Sequence, residues 1–123
     1  MPKRILLVDD DPSISGLLRI YFEAEGFVIV VTDNGASALK LAEDSHFDLI
    51  VTDLFMPEKD GLEFLQALRR KSTNTKIIAV SGGGAGMSPE VFLKIARHQG
   101  AARTFEKPFD GKELVKAAKE LLD

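Results

Sequence analysis

The sequence predicts an α/β domain in which a parallel β-sheet is doubly wound, with helices covering both of its faces. Five short apolar runs alternate along the chain with five segments whose apolar residues recur at helical spacing. The runs are mostly continuous rather than alternating with polar residues, which is typical of strands buried on both faces. Because crossovers between parallel strands are right-handed, few topologies remain. We expect a three-layer sandwich with strand order 2-1-3-4-5.

The composition is that of one globular domain without an unusual charge. The chain has 123 residues, 45% of them hydrophobic and 28% charged, so we interpret residues 1–123 as a single domain with no output domain in this chain. The formal net charge of −3 gives no electrostatic reason to expect direct nucleic-acid binding or membrane association. The chain has no cysteine, which excludes thiolate chemistry. Its apolar runs are too short for a signal peptide or a membrane span, and we expect a cytoplasmic protein.

The strands and the helix starts follow in chain order. The predicted strands are the apolar runs at residues 5–8, 27–31, 49–51, 77–80 and, more weakly, 103–106. Each run is followed by residues that are typical of a helix N-terminus: Asp11-Pro12, Asn34-Gly35, Asp60, Ser88-Pro89 and Asp110. Asp60 and Asp110 each precede a glutamate by three residues, which is the spacing of a capping box.

The helices are predicted to turn one apolar face toward the sheet. In the first helix, one stripe at helical spacing comprises Ile14, Leu17, Leu18, Tyr21 and Phe22. The inward residues expected in the other four helices are Ala38, Leu39 and Ala42; Leu62, Leu65 and Leu68; Val91, Phe92, Ile95 and Ala96; and Leu114, Ala118, Leu121 and Leu122. In such a sheet, ligands bind at the carboxyl ends of the strands, beside the switch point between the first and third strands.

Acidic residues follow the two strands that meet at this switch point. Asp9, Asp10 and Asp11 come after the first strand, and Asp53 ends the third. Carboxylates packed together repel one another unless a cation lies among them. A hard divalent ion suits oxygen ligands, and Mg²⁺ is favoured over Ca²⁺ because the protein supplies few ligands. Asp11 is explained as a helix cap, so the candidate metal site consists of Asp9, Asp10 and Asp53.

Two further polar residues stand at neighbouring strand ends. Ser81 ends the fourth strand and Lys107 follows the fifth. A carboxylate can act as a nucleophile and form an aspartyl phosphate, and the oxygens of the transferred phosphoryl group then need neutralising contacts. A bound Mg²⁺, the Lys107 ammonium and the Ser81 hydroxyl can each supply one. Either residue alone would be read as an ordinary surface residue, so the prediction depends on their common position.

Four motifs occur in order at these strand ends: Val8-Asp9-Asp10, the segment DLFMPEKDG at 53–61, Ser81-Gly82 and Lys107-Pro108-Phe109. Together they resemble the receiver domain of two-component response regulators, over essentially the whole chain. The resemblance implies a flavodoxin-like fold and a phosphorelay switch rather than a turnover enzyme. A phosphoryl group would pass from the phosphohistidine of a sensor histidine kinase, or of a histidine phosphotransfer protein, to Asp53. The face formed by the fourth helix, fourth strand and fifth helix would then change.

The resemblance also implies a role for each site residue. Asp53 would be the phosphoacceptor, while Lys107 and Ser81 would contact the phosphoryl group. The implied ligands of Mg²⁺, or of Mn²⁺ in its place, are Asp10, Asp53 and the backbone carbonyl of Phe55, with Asp9 contributing through water. The Lys107-Pro108 peptide would be cis, which costs little before proline. The domain would catalyse only its own phosphorylation and slow dephosphorylation.

The sequence departs from the family pattern at the position of the usual switch. Receivers usually carry Tyr or Phe three residues before the lysine, where this chain has Thr104. Phe105 is adjacent, but strand alternation points it to the opposite face. The stretch from Ser81 to Lys107 is also a few residues longer than is common, with the excess in the glycine-rich segment 82–87. We therefore expect phosphorylation to be reported without an aromatic residue at position 104, through a switch at Ser81 and Thr104 in which the glycine-rich segment and the fourth helix take part.

Two other functions remain open at this point. A Mg²⁺-dependent phosphohydrolase with an Asp nucleophile also places acids at strand ends, but it typically has a second acid where this chain has Phe55, and a cap domain. An unphosphorylated pseudo-receiver would act only as a binding module, and the intact set of acids, Ser81 and Lys107 argues against it. The sequence names neither the kinase nor the downstream effector.

Overall fold

A computed structural model of the chain describes residues 2–54, 61–71, 74–82 and 88–123. Within these ranges the strands are β1 Arg4–Val8, β2 Val28–Thr32, β3 Leu49–Asp53, β4 Lys76–Ser81 and β5 Arg103–Glu106. The helices are α1 Pro12–Ala24, α2 Gly35–Asp44, α3 Gly61–Arg70, α4 Pro89–His98 and α5 Gly111–Leu122. All neighbouring strands pair in parallel, in the order β2-β1-β3-β4-β5. The predicted topology is confirmed.

Four helices begin at the capping residues that the sequence predicts. In each case the cap side chain accepts a backbone N–H of the first turn: Asp11 from Ser13 (3.0 Å), Asn34 from Ser37 (2.8 Å), Ser88 from Val91 (3.3 Å) and Asp110 from Lys112 (2.9 Å). These bonds satisfy N–H groups that have no partner within the helix. The remaining predicted cap, Asp60, lies outside the described residues.

Apolar side chains pack on both faces of the sheet. One cluster joins the sheet to α2, α3 and α4, and the other joins it to α1 and α5. Every residue of the central strand β3 is buried, as expected of a strand covered on both sides. Along β3, Ile50 belongs to the first cluster and Leu49 and Val51 to the second. The strand therefore turns alternate residues toward the two helical layers.

The predicted helix faces are partly wrong. Leu17 of α1 and Val91 of α4 were expected inside, yet they are 46% and 44% exposed. Ser15 and Leu93 are buried in the same helices. An apolar stripe can be wider than the arc of a helix that the sheet covers, so its edge stays in solvent, and a small serine can fit beneath the helix.

The second strand begins one residue later than predicted because Phe27 lies in the turn that follows α1 and bonds back to the helix. Gly26 adopts φ +90°, a left-handed conformation that glycine adopts readily and that commonly ends a helix. The N–H of Phe27 donates to the carbonyl of Phe22 at 3.2 Å, and the two rings meet edge to face with centroids 5.8 Å apart.

Across the described part of the chain, no helix has the length and hydrophobicity that a membrane span requires.

Gly111 leaves room for the ring of Tyr21 where α5 begins against α1. A Cβ at Gly111 would lie 2.9 Å from Cε2 and 3.1 Å from Cδ2 of Tyr21. We expect Gly111→Ala to lower the free energy of unfolding by about 1 kcal/mol, since the cost of overpacking exceeds the gain in helix propensity. Gly16→Ala is the matched control, because a Cβ there meets nothing within 4 Å. Urea denaturation should show the control at least as stable as the wild type. Equal stabilisation by both substitutions would contradict the packing argument.

Candidate functional site

The carboxyl ends of four strands bring the predicted site residues to one edge of the sheet. Asp9 follows β1, Asp53 and Ser81 end β3 and β4, and Lys107 follows β5. Because β3 pairs with both β1 and β4, Asp53 stands at the middle of this edge. Asp9, Asp53 and Ser81 are buried, Lys107 is half-buried, and Asp10 is exposed. The side chain that opens the cluster to solvent is therefore that of Asp10.

Lys107 joins two of the acids. Its Nζ donates to Oδ2 of Asp9 and to Oδ2 of Asp53, at 3.1 Å in each case. Its backbone N–H donates to the carbonyl of Ser81 at 2.9 Å, which continues the pairing of β5 with β4 to the edge of the site. The Lys107-Pro108 peptide is cis, as predicted.

Three carboxylates converge beside the lysine. Asp9, Asp10 and Asp53 each offer an oxygen, and these oxygens lie within 4.8 Å of one another. Asp11 instead accepts from the N–H and hydroxyl of Ser13 as a helix cap, and its own N–H donates to Oδ1 of Asp9 at 2.9 Å. A set of hard oxygen donors that is open on one side suits Mg²⁺, which keeps several water ligands. The predicted ligand Phe55 lies outside the described residues.

The electrostatics of the site favour a further cation. Burial raises the pKa of Asp9 above its ordinary 3.8, and the charge of Asp53 adds to the rise, against the opposing effects of the Asp11 N–H and of Lys107. Burial lowers the pKa of Lys107, but the charges of Asp53 and Asp9, together with its hydrogen bonds to both, raise it by more, so the net shift is upward. One ammonium group thus faces more than one carboxylate. The remaining negative charge is available to a divalent ion.

Neutralising Asp9 should stabilise the metal-free protein. A carboxyl group whose pKa is raised by folding binds more protons in the folded state, so the free energy of unfolding falls as the pH rises from about 3.9 through the raised value. At neutral pH without Mg²⁺, we expect Asp9→Asn to raise the free energy of unfolding by on the order of 1 kcal/mol and to flatten its dependence on pH. Urea titrations in a chelator, from acidic to neutral pH, measure both effects. Asp33→Asn, at an exposed acid, is the control. A destabilised Asp9→Asn protein at neutral pH would contradict this reading.

Thr104 and Phe105 point to opposite faces of β5, as predicted. Phe105 packs in the cluster of α1 and α5, with its ring centroid 6.1 Å from that of Phe109. Thr104 accepts a hydrogen bond from Nη1 of Arg97 at 3.0 Å through its Oγ1. Arg97 was not predicted from the sequence, because an arginine in the last turn of a helix is ordinarily explained by the helix dipole. His46 and His98 lie away from this edge: His46 precedes β3 and His98 ends α4.

The profile of the response regulator receiver domain family matches residues 5–119 of the chain. The chain belongs to this family. The transcriptional regulatory protein CpxR of Escherichia coli K12 is 37% identical over 119 residues, which is 97% of this chain and 49% of CpxR. ResD of Bacillus subtilis is 34% identical over 119 residues, or 97% of this chain and 48% of ResD. The chain therefore spans about half the length of the curated relatives it matches.

Solved receiver structures share the architecture. A CheY-like receiver domain from Methanospirillum hungatei superposes with a TM-score of 0.90 at 28% identity, covering 100% of this chain and 95% of that one. TrrA from Thermotoga maritima, in complex with Mg²⁺ and BeF, gives 0.83 at 33% identity, covering 98% and 99%. The flavodoxin-like fold is confirmed. As a receiver, the chain is a phosphoacceptor signalling switch of a two-component system rather than a catalytic enzyme.

The family also bears on partners. Receiver domains bind Mg²⁺ at an acidic pocket and are phosphorylated by sensor histidine kinases. CpxR and ResD are transcriptional regulators by name. The expectation that this chain makes no direct contact with nucleic acid therefore stays a prediction.

Proposed function

We propose that Asp53 of this chain accepts a phosphoryl group, in a Mg²⁺-dependent reaction, from the phosphohistidine of a sensor histidine kinase or a histidine phosphotransfer protein. The observation that carries this proposal is the position of Lys107 Nζ, 3.1 Å from both Asp9 and Asp53. Asp53 therefore lies at the edge of the sheet beside an ammonium group that can bind an oxygen of the phosphoryl group.

In the proposed reaction a carboxylate oxygen of Asp53 attacks phosphorus, and the bond from phosphorus to the histidine nitrogen breaks. The electron pair of that bond returns to the imidazole, and the product is an acyl phosphate on Asp53. Lys107, which Asp9 holds from the other side, contacts one phosphoryl oxygen. Ser81, completely buried at the end of β4, contacts another with its hydroxyl. The negative charge on these oxygens is thus stabilised by groups that already lie at the edge of the sheet.

The proposed metal ligands are carboxylate oxygens of Asp10 and Asp53 and the carbonyl of Phe55, with Asp9 acting through water. The convergence of the three carboxylates supports this assignment. When bound, Mg²⁺ supplies positive charge that offsets the repulsion among the acids and the charge of the incoming phosphoryl group. Mn²⁺ meets the same oxygen preference.

We assign residues 1–123 to one receiver unit working in the cytoplasm, whose reactions are limited to its own phosphorylation and slow dephosphorylation. The proposed consequence of phosphorylation is a shift between two states of the face made by α4, β5 and α5, driven by new contacts of Ser81 and Lys107 with the phosphoryl group. From the sequence, β4 was expected in this face, but β4 lies between β3 and β5 and is largely buried, whereas β5 is the edge strand.

Incubation with phosphoramidate, a small donor with the same P–N bond, tests the chemistry. With Mg²⁺, intact-mass spectrometry should show uptake of one phosphoryl group, and borohydride reduction followed by peptide mapping should place it on Asp53. A chelator should prevent the uptake. Absence of any uptake would favour the pseudo-receiver, whereas repeated turnover of simple phosphoesters would favour the phosphohydrolase.

A further inference from the structure

We propose that the hydrogen bond between Arg97 and Thr104 is a latch that holds α4 against β5 in the unphosphorylated protein and opens when Asp53 is phosphorylated. Nη1 of Arg97 donates to Oγ1 of Thr104 at 3.0 Å. Arg97 lies in the last turn of α4, and Thr104 lies within β5. The inference rests on the proposed function, because it names how the state of the Asp53 site is transmitted.

The register of the sheet places Thr104 on the same face as Ser81. Thr104 pairs with Ala79, which stands two residues before Ser81 on β4. Residues two apart on a strand share a face, and Ala79 packs in the cluster that contains Leu93 of α4. Ala79, Ser81 and Thr104 therefore form one surface beneath α4, with Ser81 at the end nearest the acids.

The two partners of the latch belong to elements that each lie beside a residue proposed to contact the phosphoryl group. Lys107 directly follows β5, and α4 packs on the face of the sheet that carries Ala79 and Ser81. The C-terminal end of α4 is also bound to α3, because Nη1 of Arg69 donates to the carbonyl of His98 at 2.7 Å. Movement of Ser81 toward a phosphoryl oxygen would change the surface of β4 on which α4 packs, while the bonds of Arg69 and Arg97 hold the C-terminal end of α4 in place.

The strength of the contact sets the size of the expected effect. A hydrogen bond of an exposed arginine to a half-buried hydroxyl typically changes an equilibrium by about two- to tenfold. Coupling between sites is reciprocal. If phosphorylation opens the latch, then removing the latch favours the phosphorylated state by the same factor. Removing the hydrogen bond between Arg97 and Thr104 should also speed amide hydrogen exchange in α4 when Mg²⁺ is absent.

The test uses Mg²⁺ with beryllium fluoride as a phosphoryl mimic, its affinity being measured by fluorine NMR, together with amide hydrogen exchange of α4 in a chelator. Thr104→Val removes the hydroxyl with little change of shape, and Arg97→Gln removes the guanidinium. We expect each to tighten binding of the mimic about two- to tenfold and to speed exchange in α4. Thr104→Ser, which keeps the hydroxyl, and Arg70→Gln, at an exposed arginine of α3, should match the wild type. The double variant should bind no tighter than either single variant, because both lose the same bond.

The outcomes separate the latch from the function on which it rests. Single variants that match Arg70→Gln in affinity and exchange, or a double variant in which the two effects add in full, would overturn the latch alone, provided that the wild type binds the mimic and Asp53→Asn does not. A wild type that fails to bind the mimic would overturn the proposed function and the latch together.

Discussion

Asp53→Asn is expected to abolish uptake of a phosphoryl group from phosphoramidate in the presence of Mg²⁺. The amide is neutral and cannot form the acyl phosphate, and losing a nucleophile typically costs at least about a thousandfold in rate. Asparagine keeps the shape of the side chain at a position that is 5% exposed, so the fold should survive. Intact-mass spectrometry over a time course provides the measurement.

The control for this substitution is Asp33→Asn, an exposed acid after β2, which should be phosphorylated like the wild type. Uptake by Asp53→Asn at the wild-type rate would show that another residue is the acceptor, and the proposed function would then be wrong. Slow uptake at a neighbouring hydroxyl or carboxylate would appear at a different peptide in the map.

Lys107→Met is expected to have opposite effects on the metal and on the phosphoryl mimic. Methionine preserves much of the apolar stem but leaves Asp9 and Asp53 without their shared ammonium group. In a chelator we expect the free energy of unfolding to fall by roughly 2 kcal/mol, less than for a fully buried pair because the Lys107 side chain is 20% exposed. Affinity for Mg²⁺ should rise about tenfold, since the ion no longer competes with a fixed cation, whereas affinity for beryllium fluoride should fall at least as much.

The pH dependence supplies a second measurement on the same variant. The pKa of Lys107 is raised in the folded protein, so its stabilising contribution is complete below the unfolded value of about 10.4 and is lost as the pH rises through the folded value. The stability difference between the wild type and Lys107→Met should therefore persist from neutral to mildly alkaline pH and shrink in strongly alkaline solution. Lys112→Met, at an exposed lysine of α5, is the control. Equal loss of Mg²⁺ and mimic binding would contradict the competition between lysine and metal.

The candidate site was predictable because parallel strands share an edge. Once the order of the strands was inferred, Asp9, Asp53, Ser81 and Lys107 could be placed together although they come from distant parts of the chain. Asp11 could be excluded from the metal site because its position before Pro12 is that of a helix cap, and its hydrogen bonds to Ser13 confirm the cap. The role of Arg97 could not be predicted in this way. Its contact with Thr104 depends on how α4 packs on β5, and the order of the strands does not specify that packing.

The sequence by itself determined the alternation of strands and helices, the caps at Asp11, Asn34, Ser88 and Asp110, and the identity of the acids. These features depend on local spacing and on chemistry within a few residues, so they can be read from the chain. The tertiary structure alone decided that Leu17 is exposed while Ser15 is buried. It also decided that the ammonium group of Lys107 bridges Asp9 and Asp53, which lie 98 and 54 positions earlier in the chain. The reason is physical, because such contacts depend on how far one packed element reaches toward another, and sequence periodicity does not contain that distance.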